Sequence, residues 1–190
     1  SVAVSPEPRP AISPELRRAL SLCVPDPTPE LQNHLAQWCH EVAVDDKDNV
    51  LPALFWFALD RLVAAEAKQS LPLVPLLRSF LFHRAVFTCC AVLASAALGH
   101  NRVDTYPRVL STVGVSAVDF FKAATLFARD VMPHVPEQLR DVLEGPVRDV
   151  VEHGAFADAS FLVLLPPSSL TSLAPSPSPR PSEGGDEGSG

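Results

Sequence analysis

Four cysteines (Cys23, Cys39, Cys89 and Cys90) and six histidines have the widest chemical repertoire in this chain. A metal centre needs three or four such ligands to converge, and a redox dithiol needs Cys-x-x-Cys spacing. Neither pattern occurs. Cys89 and Cys90 are adjacent, so on a helix they point about 100° apart, and His83 lies upstream of both. Two packed thiols and a hydrogen-bonded or capping imidazole account for this set, so no metal ligand is assigned. The sequence also lacks a phosphate-cradling glycine loop, a His-Glu-x-x-His and a Gly-x-Ser-x-Gly. Its scattered Asp, His and Cys fit solvated faces and core positions. No catalytic residue, no enzyme activity and no cofactor are expected.

The remaining chemistry is modification. Ser5, Ser13, Thr28, Ser176 and Ser178 each precede a proline, the minimal signature of proline-directed kinases. Ser13 and Thr28 have a second explanation as helix caps, whereas Ser176 and Ser178 have nothing to cap. A phosphate on either adds nearly two negative charges. Arg18-Ala19-Leu20 fits a cyclin-docking Arg-x-Leu, but it falls inside an expected helix.

The 190 residues are 47% apolar and 19% charged, which suits one domain of about 150 residues plus a non-globular segment. A net charge of -7, with only Lys47, Lys68 and Lys122 as lysines and no basic cluster, argues against direct nucleic-acid binding and leaves proteins as the expected partners. The irregular cysteine spacing suits a reducing, intracellular compartment. "SVAVSPEPRPAISP" has no charged segment followed by an apolar one, so no signal peptide is expected there.

Helices must position whatever acts. Ser13-Pro14-Glu15 and Thr28-Pro29-Glu30 share one pattern: a hydroxyl cap, a proline in the first turn, then an acid. Leu31, Leu35, Trp38 and Val42 line one face of a helix running to about Val44. Leu51, Leu54, Phe55, Ala58, Leu62 and Ala65, broadened by Phe57 and Leu59, predict a further helix that is more than half buried. Pro72 and Pro75 limit the next to a short turn.

"FLFHRAVFTCCAVLASAALGH" (80–100) is the most apolar stretch. From Ala85 to Leu98 there are 14 uncharged residues before Gly99, short of the roughly 18 to 20 that span a bilayer. The central helix of a bundle, stopped by Gly99, is expected, and no membrane partner. "TYPRVLSTVG" predicts a short helix ended by Gly114. Ser116 to Asp119 has the shape of a capping box with Asp in place of Glu. A last helix starts at Val135-Pro136, with Gly145-Pro146 kinking or splitting it. The body is therefore all-α, about seven to eight helices over 13–165, between a flexible segment at 1–12 and a disordered Ser/Pro-rich stretch at 166–190.

Phe82-His83, Cys89-Cys90, Tyr106-Pro107 and Phe120-Phe121-Lys122 stand in the order and spacing of motifs in the A half of the retinoblastoma-family pocket, which the chain resembles from about Ser13 to Leu165. Ala155-Phe156 resembles the Ala-Trp of that family's closing helix. The resemblance implies a cyclin-like fold packed against a second, B half, with E-two-F/DP-type transcription factors silenced in the groove between the halves. It also implies a nuclear corepressor that restrains the cell cycle, with cyclin-dependent kinases as modifiers. Residue by residue, Lys122 matches the family lysine beside the bound activator, and the arginine of an earlier family helix falls near Asn33 or His34. The acid that usually follows that lysine by three positions is here Thr125. The alternative is a cyclin or another cyclin-fold adaptor that binds a kinase or the transcription machinery.

Overall fold

The computed structural model describes residues 12–42, 49–70, 72–99 and 102–157. The expected flexible segment before Ile12, the acidic loop at 43–48 and the Ser/Pro-rich stretch with Ser176 and Ser178 lie outside the described residues. The described residues form eight α-helices and two 3-10 helices, with no strand among them: α1 (Pro14–Ser21), α2 (Thr28–Val42), α3 (Val50–Lys68), α4 (Leu73–Leu77), α5 (Phe80–Ala97), α6 (Arg102–Val113), α7 (Ala117–Asp130), the 3-10 helices Met132–His134 and Glu137–Leu143, and α8 (Glu144–Ala157). This is an all-α bundle, as the periodicity predicts, and a cyclin-like one, as the resemblance implies.

The arrangement follows from α5. Its residues Ala85 to Ser95 are all buried, as is His83. A helix apolar on every side must be surrounded, and α3, α4, α6, α7 and the 3-10 helix Glu137–Leu143 all pack on it. By length and hydropathy alone α5 could cross a bilayer, but 67% of it is buried within the bundle. Ala85, Ala91 and Ala94 let neighbouring helices approach closely, while Phe87 fills the centre beside Trp38 and Phe55, at ring-centroid distances of 5.4 and 6.4 Å. Each such buried aromatic stabilises the fold by about 2–3 kcal/mol.

Local chemistry sets the helix ends. The Ser13 hydroxyl accepts the Leu16 N–H at 3.0 Å and starts α1, and the Ser79 hydroxyl does the same for α5 by accepting the Phe82 N–H at 3.2 Å. In α7 the Ser116 hydroxyl accepts the Asp119 N–H at 3.1 Å and donates to the Asp119 carboxylate at 2.5 Å. The Asp side chain thus bonds back to the cap hydroxyl. Gly99 (φ +78°) and Gly114 (φ +67°) end α5 and α6 in the left-handed region, where an L side chain is strained. Beyond Gly114 the Val115 N–H reaches back to the Leu110 carbonyl at 3.0 Å, a Schellman closure. The Arg84 guanidinium donates to the Val113 carbonyl and fills the space where a Cβ on Gly114 would sit.

Three expectations need correction. Thr28 is not the cap of α2: Asp26 accepts both the Thr28 N–H (2.8 Å) and its hydroxyl (2.6 Å), and the Pro27 carbonyl takes the first helical hydrogen bond, from Leu31. A carboxylate two residues upstream outcompetes the hydroxyl because its charge strengthens the bond. Phe57 does not belong to the buried face of α3; it is 39% exposed, and Trp56 and Val63 are buried instead. The final helix splits as expected, but its first part is the 3-10 helix Glu137–Leu143, and α8 begins just before Gly145-Pro146. Pro146 can sit in the first turn of α8 because an N–H there needs no helical partner.

Candidate interaction surface

Helix α7 divides its residues between core and surface. Phe120, Ala123, Ala124 and Phe127 are buried, chiefly against α5, which fixes the rotation of the helix. Lys122 is consequently exposed. Seven residues on, Arg129 lies almost directly above it on the same stripe, since two helical turns take 7.2 residues. The Lys122 ammonium makes no hydrogen bond or ion pair within the described residues.

Helix α3 runs beside α7 and repeats the spacing with Arg61 and Lys68. Between them, a groove of about 320 Å³ has Ala64 and Ala65 on the α3 side and Arg129, Asp130, Pro133 and His134 opposite, with Arg61 and Lys68 along it. The half-exposed Phe57 ring lies under the Arg61 guanidinium, 5.8 Å from it, and meets the His134 ring edge-on at 6.5 Å. Two of the cations are partly neutralised. Arg61 pairs with Asp60 at 2.8 Å, and Arg129 bridges Asp130 (2.6 Å) and Glu66 (3.1 Å). The hydrogen bonds that Arg129 donates to Asp130, with smaller help from Glu66, push Arg129 further into its charged form.

On the other side of α7, a groove of about 410 Å³ is mostly apolar. Ala124, Thr125 and Ala128 form one wall and Met132, Leu143 and Val147 the other, with Asp141 and Glu144 beside them. Arg140 also lines it, but its Nε donates to the Val135 carbonyl at 3.2 Å. The outward stripe of α7 is thus a ridge between an apolar groove and one that carries Arg61, Lys68 and Arg129 beside Asp60, Glu66 and Asp130.

The other singled-out residues fall elsewhere. His34, on α2, stacks on Trp38 at 5.8 Å and meets Phe80 edge-on at 4.5 Å, in a separate small cleft with His83. The fold does not bring it into either groove beside α7. The Ser13 hydroxyl, besides capping α1, donates to Asp60 on α3 at 2.5 Å, so it holds α1 against α3. Thr28 is exchanged into the Asp26 turn described above. Cys89 and Cys90 are fully buried, and burial pushes both thiols up. Among the described residues no group of three His, Cys, Asp or Glu could hold a metal ion. The sequence reasoning missed Phe57, Arg61, Lys68 and Arg129. The signal available for the cations was their seven-residue spacing on two helices.

A family model described as the retinoblastoma-associated protein A domain matches residues 3–162. No curated protein and no solved structure was found to match.

Proposed function

Because the chain belongs to the retinoblastoma-associated A-domain family, a family of protein-interaction modules of the retinoblastoma pocket, we propose that it is one half of a pocket that binds and silences an E-two-F/DP-type transcription factor. In this reading residues 13–165 form the half-pocket and 166–190 lead toward a B half that supplies the second wall. Its setting is the nucleus, and its effect is to restrain cell-cycle entry as a corepressor.

The observation that carries the proposal is the ridge of α7: Lys122 and Arg129 on one stripe, Arg61 and Lys68 across the α3 groove, and an apolar channel behind. An activator segment with acidic and apolar residues on opposite faces would place its carboxylates toward the cations and its apolar side chains toward Met132, Leu143 and Val147. Thr125, at the rim of the apolar groove, contributes no carboxylate where the family usually has one. Pairing with basic groups of an activator at that point is therefore reduced. Cyclin-dependent kinases would act on Ser176 and Ser178. Ser13 is a poorer target, since its hydroxyl is held by Asp60. His34, remote from this ridge, has no part in activator binding in this reading.

Fluorescence polarisation of a labelled acidic activator peptide tests the reading, using this chain joined to a B half. Lys122→Glu combined with Lys68→Glu is expected to weaken binding by roughly tenfold, an effect that shrinks as salt is raised. Equal affinity for the activator peptide and a scrambled version of it would refute the proposal.

A further inference from the structure

Five of the eight large apolar side chains that stand exposed among the described residues sit at one end of the bundle, away from α7: Leu22, Val24, Val74, Phe80 and Leu81. They belong to the α1–α2 connection, to α4 and to the first turn of α5. Those elements meet there: α1 packs on α4 and α4 packs on α5, and although burial pushes the Cys23 thiol up, Arg78 is near enough to oppose part of that rise. Leu22 is 62% and Val24 82% exposed.

One of these side chains, Phe80, lines a cleft of about 80 Å³. Pro27, Leu31, Leu77 and Phe80 give it apolar walls, and Glu30, Arg78, His34 and His83 give it polar ones. Two of the polar groups are unusual. The exposed Arg78 guanidinium makes no ion pair or hydrogen bond within the described residues, although arginine is the side chain best shaped to hold a carboxylate. His83 is only 4% exposed, and its Nε2 is buried without a hydrogen-bond partner, a condition that costs stability unless something supplies one. Asp26, the nearest acid on the connecting loop, is already committed to Thr28 and does not neutralise Arg78.

We infer that this cleft is a second docking site, for a partner-protein segment that presents one apolar side chain next to a carboxylate. The apolar side chain enters between Leu31, Leu77 and Phe80, the carboxylate meets Arg78, and Leu22 and Val24 close over the flank. An occupant that brings a polar group to the floor gives His83 the hydrogen bond it lacks. The site lies on a different end of the bundle from the α7 ridge, so a pocket occupied by its activator can hold a second protein here.

Panning a phage-displayed random dodecapeptide library on the full chain tests this. Enriched peptides are expected to share an apolar residue within three positions of Asp or Glu. Arg78→Glu should weaken them by roughly tenfold, and a peptide with its acid replaced by lysine should regain affinity for that variant. Leu22→Ser with Val24→Ser should weaken binding as well. These three positions are exposed, and an unchanged circular-dichroism melt shows that the variants fold. Peptides with no shared pattern, or with unchanged affinity for both variants, overturn the inference. So do peptides lost on Lys68→Glu but not on Arg78→Glu, which would belong to the α3–α7 groove. Peptide-free self-association that Arg78→Glu abolishes overturns it in favour of a second copy of this chain.

Discussion

His83 is a neutral imidazole within the bundle, and acid should unfold the protein through it. Burial, reinforced by the nearby His34, lowers its pKa from 6.5 to about 4. Because the folded value lies below the unfolded one, its contribution is complete above about pH 6.5. It is lost as the pH falls through that window toward 4, where the unfolded chain binds a proton that the folded one refuses. The gap is about 2.5 pH units, and at about 1.4 kcal/mol for each the loss comes to roughly 3 kcal/mol, a large part of a small domain's stability. Carboxylates elsewhere titrate over the lower part of the same range, so the comparison must be with a variant. Urea denaturation at pH 7, 6, 5 and 4.5 should show the native chain losing stability more steeply than His83→Gln, which cannot take up the proton. His34→Gln, by removing the second cation that opposes protonation, should make the native slope shallower. Parallel stability curves for the native chain and His83→Gln would refute the reasoning.

Gly114→Ala should cost about 1–3 kcal/mol, because the position has φ +67° and the Arg84 guanidinium occupies the space a Cβ needs. Trimming Arg84 in the same chain should recover the steric part but not the backbone part, as a double-mutant cycle of thermal melts would reveal. Ser13→Ala should cost about 1–2 kcal/mol by removing both the α1 cap and the bond to Asp60. Ser13→Asp should be worse than Ser13→Ala, although Asp caps helices well, because its carboxylate faces Asp60. Equal stability of Ser13→Asp and the native chain in urea would mean that the Asp60 contact does not hold α1.

What the sequence made legible were features encoded over a few neighbouring residues. The caps at Ser13 and Ser116, the stops at Gly99 and Gly114, and the short α4 with Pro72 before it and Pro75 in its first turn follow from backbone chemistry alone. So does the central place of α5, since a helix apolar on all sides has only one home in a bundle. Helix α3 shows where such reading fails. With Leu54, Phe55, Trp56, Phe57, Ala58 and Leu59 in succession, every stripe is apolar, and the packing of α5 and α7 decides that Trp56 turns inward and Phe57 outward. The candidate surface inherits the same limit. Lys122 is visible because Phe120-Phe121-Lys122 resembles a family motif, whereas the relevance of Arg61 and Lys68 depends on which stripe of α3 is left facing α7. Ser13 to Asp60 and Arg84 to Val113 join residues far apart in the chain, and nothing local announces either pair. At Thr28 the misreading was local. The Asp two residues earlier is the stronger acceptor, and a rule that weighed charge would have chosen it.

The position of α5 also imposes a timetable on synthesis. A ribosome releases α1 to α4 first, and the faces they turn to α5, on α3 and α4, then lack the helix that covers them. Only when Ala97 has emerged can α3 and α4 close on α5, and α6, α7 and the 3-10 helix Glu137–Leu143 must follow before its other sides are shielded. While residues 50–143 are being made the nascent chain therefore presents an uncovered apolar surface, the condition that recruits chaperones and makes a slow codon or an early stop costly.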